Sequence, residues 1–247
     1  MQVGSKTMKN VVFMGSKEIG LFCFDYLIKT AKVLNYNVLG LLTNSRGMEL
    51  KAIAEQNSIR ILDNLKEYLM LKDVDICISV QYHKILKKNH LAVAKINSFN
   101  LHMAPIPEYR GCNQFSFAIY NQEKEFGTSL HIMEAKIDGG KLIAEKRFKI
   151  PNRIWVEDLL HLTIEHSKEL FTENLKSIID NTFKLQNQNL LGRQERYYAR
   201  NDINHLKIID LNSSKDEIER KIRATYMPGF DTPYFIIDNK KINLTIT

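Results

Sequence analysis

The chain has 247 residues, 44% of them hydrophobic, enough to bury a sizeable core in one large domain or in one domain with an appendage. A formal charge of +7 and a pI near 9.1 admit an anionic partner, yet the basic residues are dispersed and often stand beside acids, as in Asn121-Gln-Glu-Lys-Glu125, so a solvated basic surface explains them equally well. Three separated cysteines, Cys23, Cys77 and Cys112, without CxxC spacing, argue against a disulfide framework or a zinc cluster, and no apolar run approaches the ~18 residues of a membrane span; the expectation is a soluble, cytoplasmic protein that binds neither membrane nor nucleic acid.

Lys9-Asn-Val-Val-Phe-Met-Gly15 is a short apolar run closed by glycine, and Ser16 to Thr30 carries Ile19, Phe22, Cys23, Tyr26 and Leu27 at helical spacing, so strand, turn and helix are predicted in that order. Val38–Thr43 reads as a second buried strand. A polar turn at Asn44–Gly47 and a helix over about 49–57 follow it, with further strands at Val74–Val80 and Ser98–His102. Strands alternating with helices predict a doubly wound α/β core with a mostly parallel sheet, whose ligands sit beyond the carboxyl ends of the strands. The early Gly15-Ser-Lys-Glu-Ile-Gly20 has only two glycines and no acid after the second strand; a tight strand-to-helix turn explains it better than a dinucleotide site.

From Gly127 the pattern alternates. Thr128–Met133 and Leu142–Ile150 are predicted antiparallel strands flanking the turn Ile137-Asp-Gly-Gly140. Ile154 to Ile179 has the apolar spacing of a long helix, after which Gln186-Asn-Gln-Asn189 reads as a loop. A boundary near that loop divides the chain into 1–182 and a small C-terminal subdomain, 183–247, with a helix at Lys215–Thr225 and a hairpin of Tyr234–Ile237 and Lys241–Thr245 turning at Asp238-Asn239.

The chemically informative stretch is Phe99-Asn-Leu-His-Met-Ala-Pro-Ile-Pro-Glu-Tyr-Arg-Gly-Cys-Asn113. Asn100 and His102, two apart at a strand end, project to one face and place an amide donor beside an acid/base group. Pro105 and Pro107 stiffen the loop that follows. Taken alone, an Asn and a His at a strand end serve structure more often than catalysis, and Asp138-Gly-Gly140 alone is a hairpin turn.

Together these residues resemble the signature of the 10-formyltetrahydrofolate-dependent formyltransferases: Asn-x-His as Asn100/His102, a proline loop as Pro105–Pro107, Tyr109-Arg110-Gly111, and Asp138-Gly-Gly140. Phe126-Gly-Thr-Ser-Leu-His131 is similar to the family's Gly-x-Thr strand, and Val80-Gln-Tyr-His-Lys-Ile-Leu86 to the segment that receives the pterin. The resemblance covers about 9–150. It departs at Met103-Ala-Pro, where the family has Ser-Leu-Leu-Pro, and at His83, where relatives often carry Gly.

The resemblance implies formyl transfer to an amine from the co-substrate 10-formyltetrahydrofolate, with Asn100, His102 and Asp138 catalytic and no metal. The amine attacks the formyl carbon; Asn100 would donate to the developing oxyanion, His102 would take the proton, and Asp138 would orient the imidazole. It places the folate on Gln81, Tyr82, His83, Ile85 and Leu86, with Ile137 and Gly139. It places the acceptor on Lys84, Met103, Pro105, Tyr109, Arg110, Gly111 and Asn113.

Within that family the short C-terminal part points away from methionyl-tRNA as acceptor, and Tyr109-Arg-Gly111 away from glycinamide ribonucleotide. The tail, Tyr197-Tyr-Ala-Arg-Asn-Asp202 through Met227-Pro-Gly229, is similar to sugar N-formyltransferases acting on dTDP-linked 3-amino or 4-amino deoxysugars for surface polysaccharides. On that reading Lys84, Arg200 or Arg223 meet the diphosphate, Tyr226 or Tyr234 stacks on the base, and a homodimer forms through the C-terminal half. Another small-molecule amine, or a non-catalytic binding module on the same scaffold, stays open.

Overall fold

The computed structural model describes residues 7–245; residues 1–6 of the polar N-terminal stretch lie outside the described residues. In chain order the elements are β1 (Lys9–Gly15), α1 (Lys17–Thr30), β2 (Tyr36–Leu42), α2 (Met48–Gln56), β3 (Ile61–Leu62), α3 (Leu65–Met70), β4 (Ile76–Val80), α4 (Lys88–Leu91), β5 (Asn97–His102), β6 (Arg110–Gly111), α5 (Gln114–Tyr120), β7 (Glu125–Ile132) and β8 (Leu142–Lys149). Then come α6 (Val156–Asp180), β9 (Tyr197–Tyr198), α7 (Ile203–Leu206), α8 (Lys215–Thr225), β10 (Tyr234–Ile237) and β11 (Lys240–Asn243).

Seven strands form one sheet in the order β3-β2-β1-β4-β5-β7-β8. The first five are parallel, and β7 and β8 add antiparallel at one edge. Helices on both faces bury the central strands completely: Val11, Val12, Phe13 and Met14 of β1 are all inaccessible, as befits a parallel sheet read as an unbroken apolar run. The doubly wound core is therefore as the sequence predicts. Between β1 and β4 the strand order reverses, and the crevice opened there is the usual ligand entrance of such sheets.

The long helix α6 lays Leu159, Ile164, Leu170, Phe171, Leu175 and Ile178 on the core and stops where Asn181 turns left-handed, with φ 56°. Past it, the segment foreseen as a loop is laced to the sheet. Gln186 exchanges two backbone hydrogen bonds with Leu142 (2.9 and 2.8 Å), and β9 pairs in parallel with β6. Gly111 has φ +91°, and a Cβ there would strike the Tyr198 carbonyl oxygen, so glycine is required on both counts. Leu206 and Ala224 of the C-terminal part complete an apolar cluster with Tyr109, Phe117 and Phe126. The short elements β3, α3, α4, α5, β6, β9 and α7 are additions to the sequence-based expectation; each is too brief to establish a period.

Candidate active site

Asn100 and His102 end β5 and project to the same face. The antiparallel register sets His131 of β7 directly opposite Asn100. Asp138 reaches back over this face from the turn after β7, its backbone left-handed at φ 48°. Four polar side chains thus meet in a ring: Asn100 Nδ2 donates to His131 Nε2 (3.2 Å), His131 Nε2 lies 3.5 Å from Asp138 Oδ1, and Asp138 Oδ2 lies 3.6 Å from His102 Nδ1. The two contacts to Asp138 are ion-pair distances rather than hydrogen bonds.

The partners fix where the protons are. A carbonyl oxygen only accepts, so His102 Nε2 carries the hydrogen it donates to the Tyr109 carbonyl (2.7 Å), and His131 Nδ1 donates to the Ile132 carbonyl (2.8 Å). His102 Nδ1, facing Asp138, is then the position open to a proton. One N–H of Asn100 is used by His131, and the second has no hydrogen-bond partner among the described residues. The Gly111 N–H donates to Asp138 Oδ2 (3.0 Å). Burial works to raise the Asp138 carboxyl; the positive charge of the neighbouring His102 and His131 rings when protonated, together with the Gly111 N–H, outweighs it and holds the group well below its ordinary range. An ionised carboxylate is therefore built into a site from which water is largely excluded.

The loop expected to take the pterin leaves β4 at Gln81, left-handed at φ 55°, whose carbonyl accepts from Ser16 Oγ (2.7 Å). Leu86 anchors its far end, and Tyr82, Leu86 and Met133 share one apolar cluster, so its root packs against the root of the Asp138 loop. Tyr82 sets its ring edge-on to His83 at 4.8 Å, and burial pushes the Tyr82 phenol up to about 12. His83, Lys84 and Ile85 are exposed, and the backbone there lies outside helix and strand, free to pair with a flat heterocycle. Ile137 and Gly139 flank Asp138 on the facing loop.

Several residues assigned to the acceptor serve the scaffold instead. Met103 is 1% exposed inside the main core, and Pro105 is buried. Tyr109 presents only its carbonyl to the site; its ring stacks on Tyr198 and its hydroxyl donates to Glu123 (2.7 Å). The Arg110 guanidinium is buried against Gln188 and Glu195. Gly111 contributes its N–H to Asp138. Asn113 ties the Arg200 segment by donating to the Arg200 carbonyl (2.9 Å).

Arg223 faces away from Asp138 chemistry, donating to the Ile154 carbonyl (3.2 Å) in a cleft of about 320 Å³ that Arg153 and Arg220 also line. Tyr226 packs edge-on to Trp155, and Tyr234, on the terminal hairpin, lies under the Lys241 ammonium. Arg200 is exposed, and its charge acts on Lys17, a cation that sequence reasoning passed over. Burial of its ammonium end, then Arg46 and Arg200, lowers Lys17 below its ordinary range. His131 was also missed as a functional residue; the signal was its place in the Gly-Thr-Ser-Leu-His strand.

An amide donor, two imidazoles and a carboxylate gathered at one strand end are the groups that acyl or formyl transfer can use. The formyl transferase family profile matches residues 32–175, and the chain belongs to that family of formyl-transferring enzymes. Among its relatives, the methionyl-tRNA formyltransferase of Prochlorococcus marinus subsp. pastoris is 30% identical over 96% of this chain and 76% of that protein. The bifunctional polymyxin resistance protein ArnA of Wigglesworthia glossinidia brevipalpis is 28% identical over 95% of this chain, which spans 37% of ArnA's length. Among solved structures, an N-formyltransferase from Helicobacter canadensis in complex with folinic acid and dTDP-3-aminofucose superposes with a TM-score of 0.77 at 26% identity, covering 95% of this chain and 86% of that one.

Proposed function

We propose that the protein transfers the formyl group of 10-formyltetrahydrofolate to the amine of a dTDP-linked 3-amino or 4-amino deoxysugar, a building block of surface polysaccharide such as O-antigen, acting as a cytoplasmic homodimer. The carrying observation is the Asn100–His131–Asp138–His102 ring at the carboxyl end of β5, next to the strand-order reversal between β4 and β1. The Helicobacter canadensis enzyme, similar over most of both chains, supports a nucleotide-sugar acceptor. When bound, the folate supplies the formyl carbon.

This chain's residues do the rest. The free N–H of Asn100 donates to the oxygen that gains charge. His102 Nδ1 takes the amine's proton, and the Asp138 carboxylate stabilises the resulting imidazolium. As the tetrahedral adduct collapses, the bond between the formyl carbon and the folate nitrogen breaks, and the imidazolium gives the proton to that departing nitrogen. The loop 81–86 and the turn 137–139 hold the flat ring between them, and the apolar packing of Tyr82 and Leu86 keeps that wall in place.

For the diphosphate, Lys17, Arg46 and Arg200 offer a cluster of like charges at the crevice mouth. β1 is two strands from β5, about 10 Å along the sheet edge, a reach that a sugar diphosphate spans. Arg200 keeps the role the sequence assigned it, and Lys17 and Arg46 join it.

A second reading, methionyl-tRNA as acceptor, has the Prochlorococcus relative behind it. The test is to incubate the protein and 10-formyltetrahydrofolate with a panel of dTDP-amino sugars and with methionyl-tRNA, following each product by mass. A formyl group gained only by the aminoacyl ester would replace the sugar reading with the second one.

A further inference from the structure

We infer that Gln188 is a positioning residue for Asp138, acting as the keystone of a clamp that fastens the C-terminal segment onto the catalytic turn. The inference rests on the role given above to Asp138. Gln188 opens a single 3-10 turn, Gln188–Leu191, within the polar run Gln186-Asn-Gln-Asn189, yet it is 4% exposed. A buried amide is costly unless its hydrogen-bonding capacity is filled, and here all of it is. Oε1 accepts from Arg110 Nε (3.1 Å) and Nη2, while Nε2 donates to the Asp138 carbonyl (2.9 Å) and the Gly140 carbonyl (2.6 Å). A guanidinium only donates and a carbonyl only accepts, so the amide has a single allowed orientation.

The two carbonyls flank Gly139, directly after the residue that carries the carboxylate, and Asp138 itself holds a left-handed backbone, φ 48°, a region that aspartate enters more readily than most residues but still at a cost. The same hub secures the turn at its other end. Arg110 also pairs with Glu195, which binds the Lys136 ammonium (2.6 Å), two residues before Asp138. Attachment of the segment to the sheet does not need Gln188, because Gln186 already pairs with Leu142 through backbone alone. What the Gln188 side chain adds is specific to the turn.

The test uses Gln188→Glu, which keeps size and an Arg110 partner but turns both donors into acceptors, and Gln188→Met, which removes them. The first readout is hydrogen exchange of the Gly111 amide in the free protein, since that N–H is bonded to Asp138 Oδ2. It needs neither folate nor acceptor, so its outcome is separable from any error in the acceptor assignment. We expect Gly111 to lose protection by about tenfold or more while Phe13 and Ile78 in the sheet keep theirs. The second readout is formyl transfer to whichever acceptor proves active, where kcat should fall by roughly 10- to 100-fold, the scale of a ~1 Å misplacement, with KM for the folate unchanged. Unchanged Gly111 protection and kcat in a folded Gln188→Met protein overturn the inference. So does an equal loss of protection at Gly111, Phe13 and Ile78 in both variants, which would make Gln188 a packing residue only.

Discussion

His102 Nδ1 stands 3.6 Å from Asp138 Oδ2, while the other ring nitrogen is committed to the Tyr109 carbonyl at 2.7 Å. The ring is held from one side and leaves a single nitrogen for proton traffic, beside an ionised carboxylate. Replacing the ring with an amide in His102→Gln keeps an N–H of the right reach to bond the Tyr109 carbonyl but removes the proton acceptor. Formyl transfer should fall by about 100- to 10,000-fold, the usual contribution of a general base. Product formation by mass, beside an unchanged circular dichroism spectrum, checks this; a variant within a few-fold of the parent would remove His102 from the reaction.

Asn100 should show in kcat rather than in binding. Its free N–H is aimed at charge that exists only as the amine adds, so Asn100→Leu should lower kcat by about 100- to 1,000-fold with little change in KM. The same change leaves His131 Nε2 without its 3.2 Å donor. A parallel His131→Gln variant separates the two effects: if it matches Asn100→Leu in kcat, the amide acts through the ring and not on the reacting oxygen. Steady-state kinetics with either co-substrate varied makes the distinction.

The depressed carboxyl of Asp138 carries a stability signature of definite sign. Its folded value lies below the ~3.9 of an unfolded aspartate, so the carboxylate's contribution is fully present above about pH 4. It is lost as the pH falls from there through the folded value, because only the unfolded chain then gains a proton. Asp138→Asn should therefore be less stable than the parent at neutral pH, and the two should converge as acid is added below about pH 4. Urea midpoints measured across that range test the sign, and parallel curves would contradict it.

Much of this site was legible in the sequence, for reasons that also explain what was not. The resemblance to a family signature singled out Asn100, His102 and Asp138; the two-residue period of one strand adds only that Asn100 and His102 share a face. His131 became functional only through the β5–β7 register, which pairs it with a residue 31 positions earlier. Gln188 lay hidden in a polar run because burial of an amide depends on what surrounds it, here Arg110, 78 residues away. Met103, Tyr109 and Arg110, near the pair in sequence, are buried in the fold, which motif membership did not indicate. The fold was read most securely where burial was total, as in β1 and β4, and least where elements of two to seven residues owe their form to tertiary partners.

Lys17 and Arg200 belong to segments far apart in sequence, and the positive charges of Arg46 and Arg200 act, after burial, to lower Lys17 below its ordinary range. Like charges gathered in this way destabilise the free protein and become favourable when an anion enters, each charge-assisted hydrogen bond then contributing about 1.5–3 kcal/mol. If the diphosphate sits there, Lys17→Ala, Arg46→Ala and Arg200→Ala should each weaken binding of dTDP by about tenfold or more, and folinic acid should bind as before. The loss should also shrink with added salt, because exposed charges are screened over a Debye length of about 8 Å at physiological ionic strength. Titration calorimetry with dTDP alone, at two salt concentrations, reads both effects without the reaction. Undiminished dTDP affinity in all three variants would move the diphosphate elsewhere on the sheet edge, with Lys84 the next cation to examine.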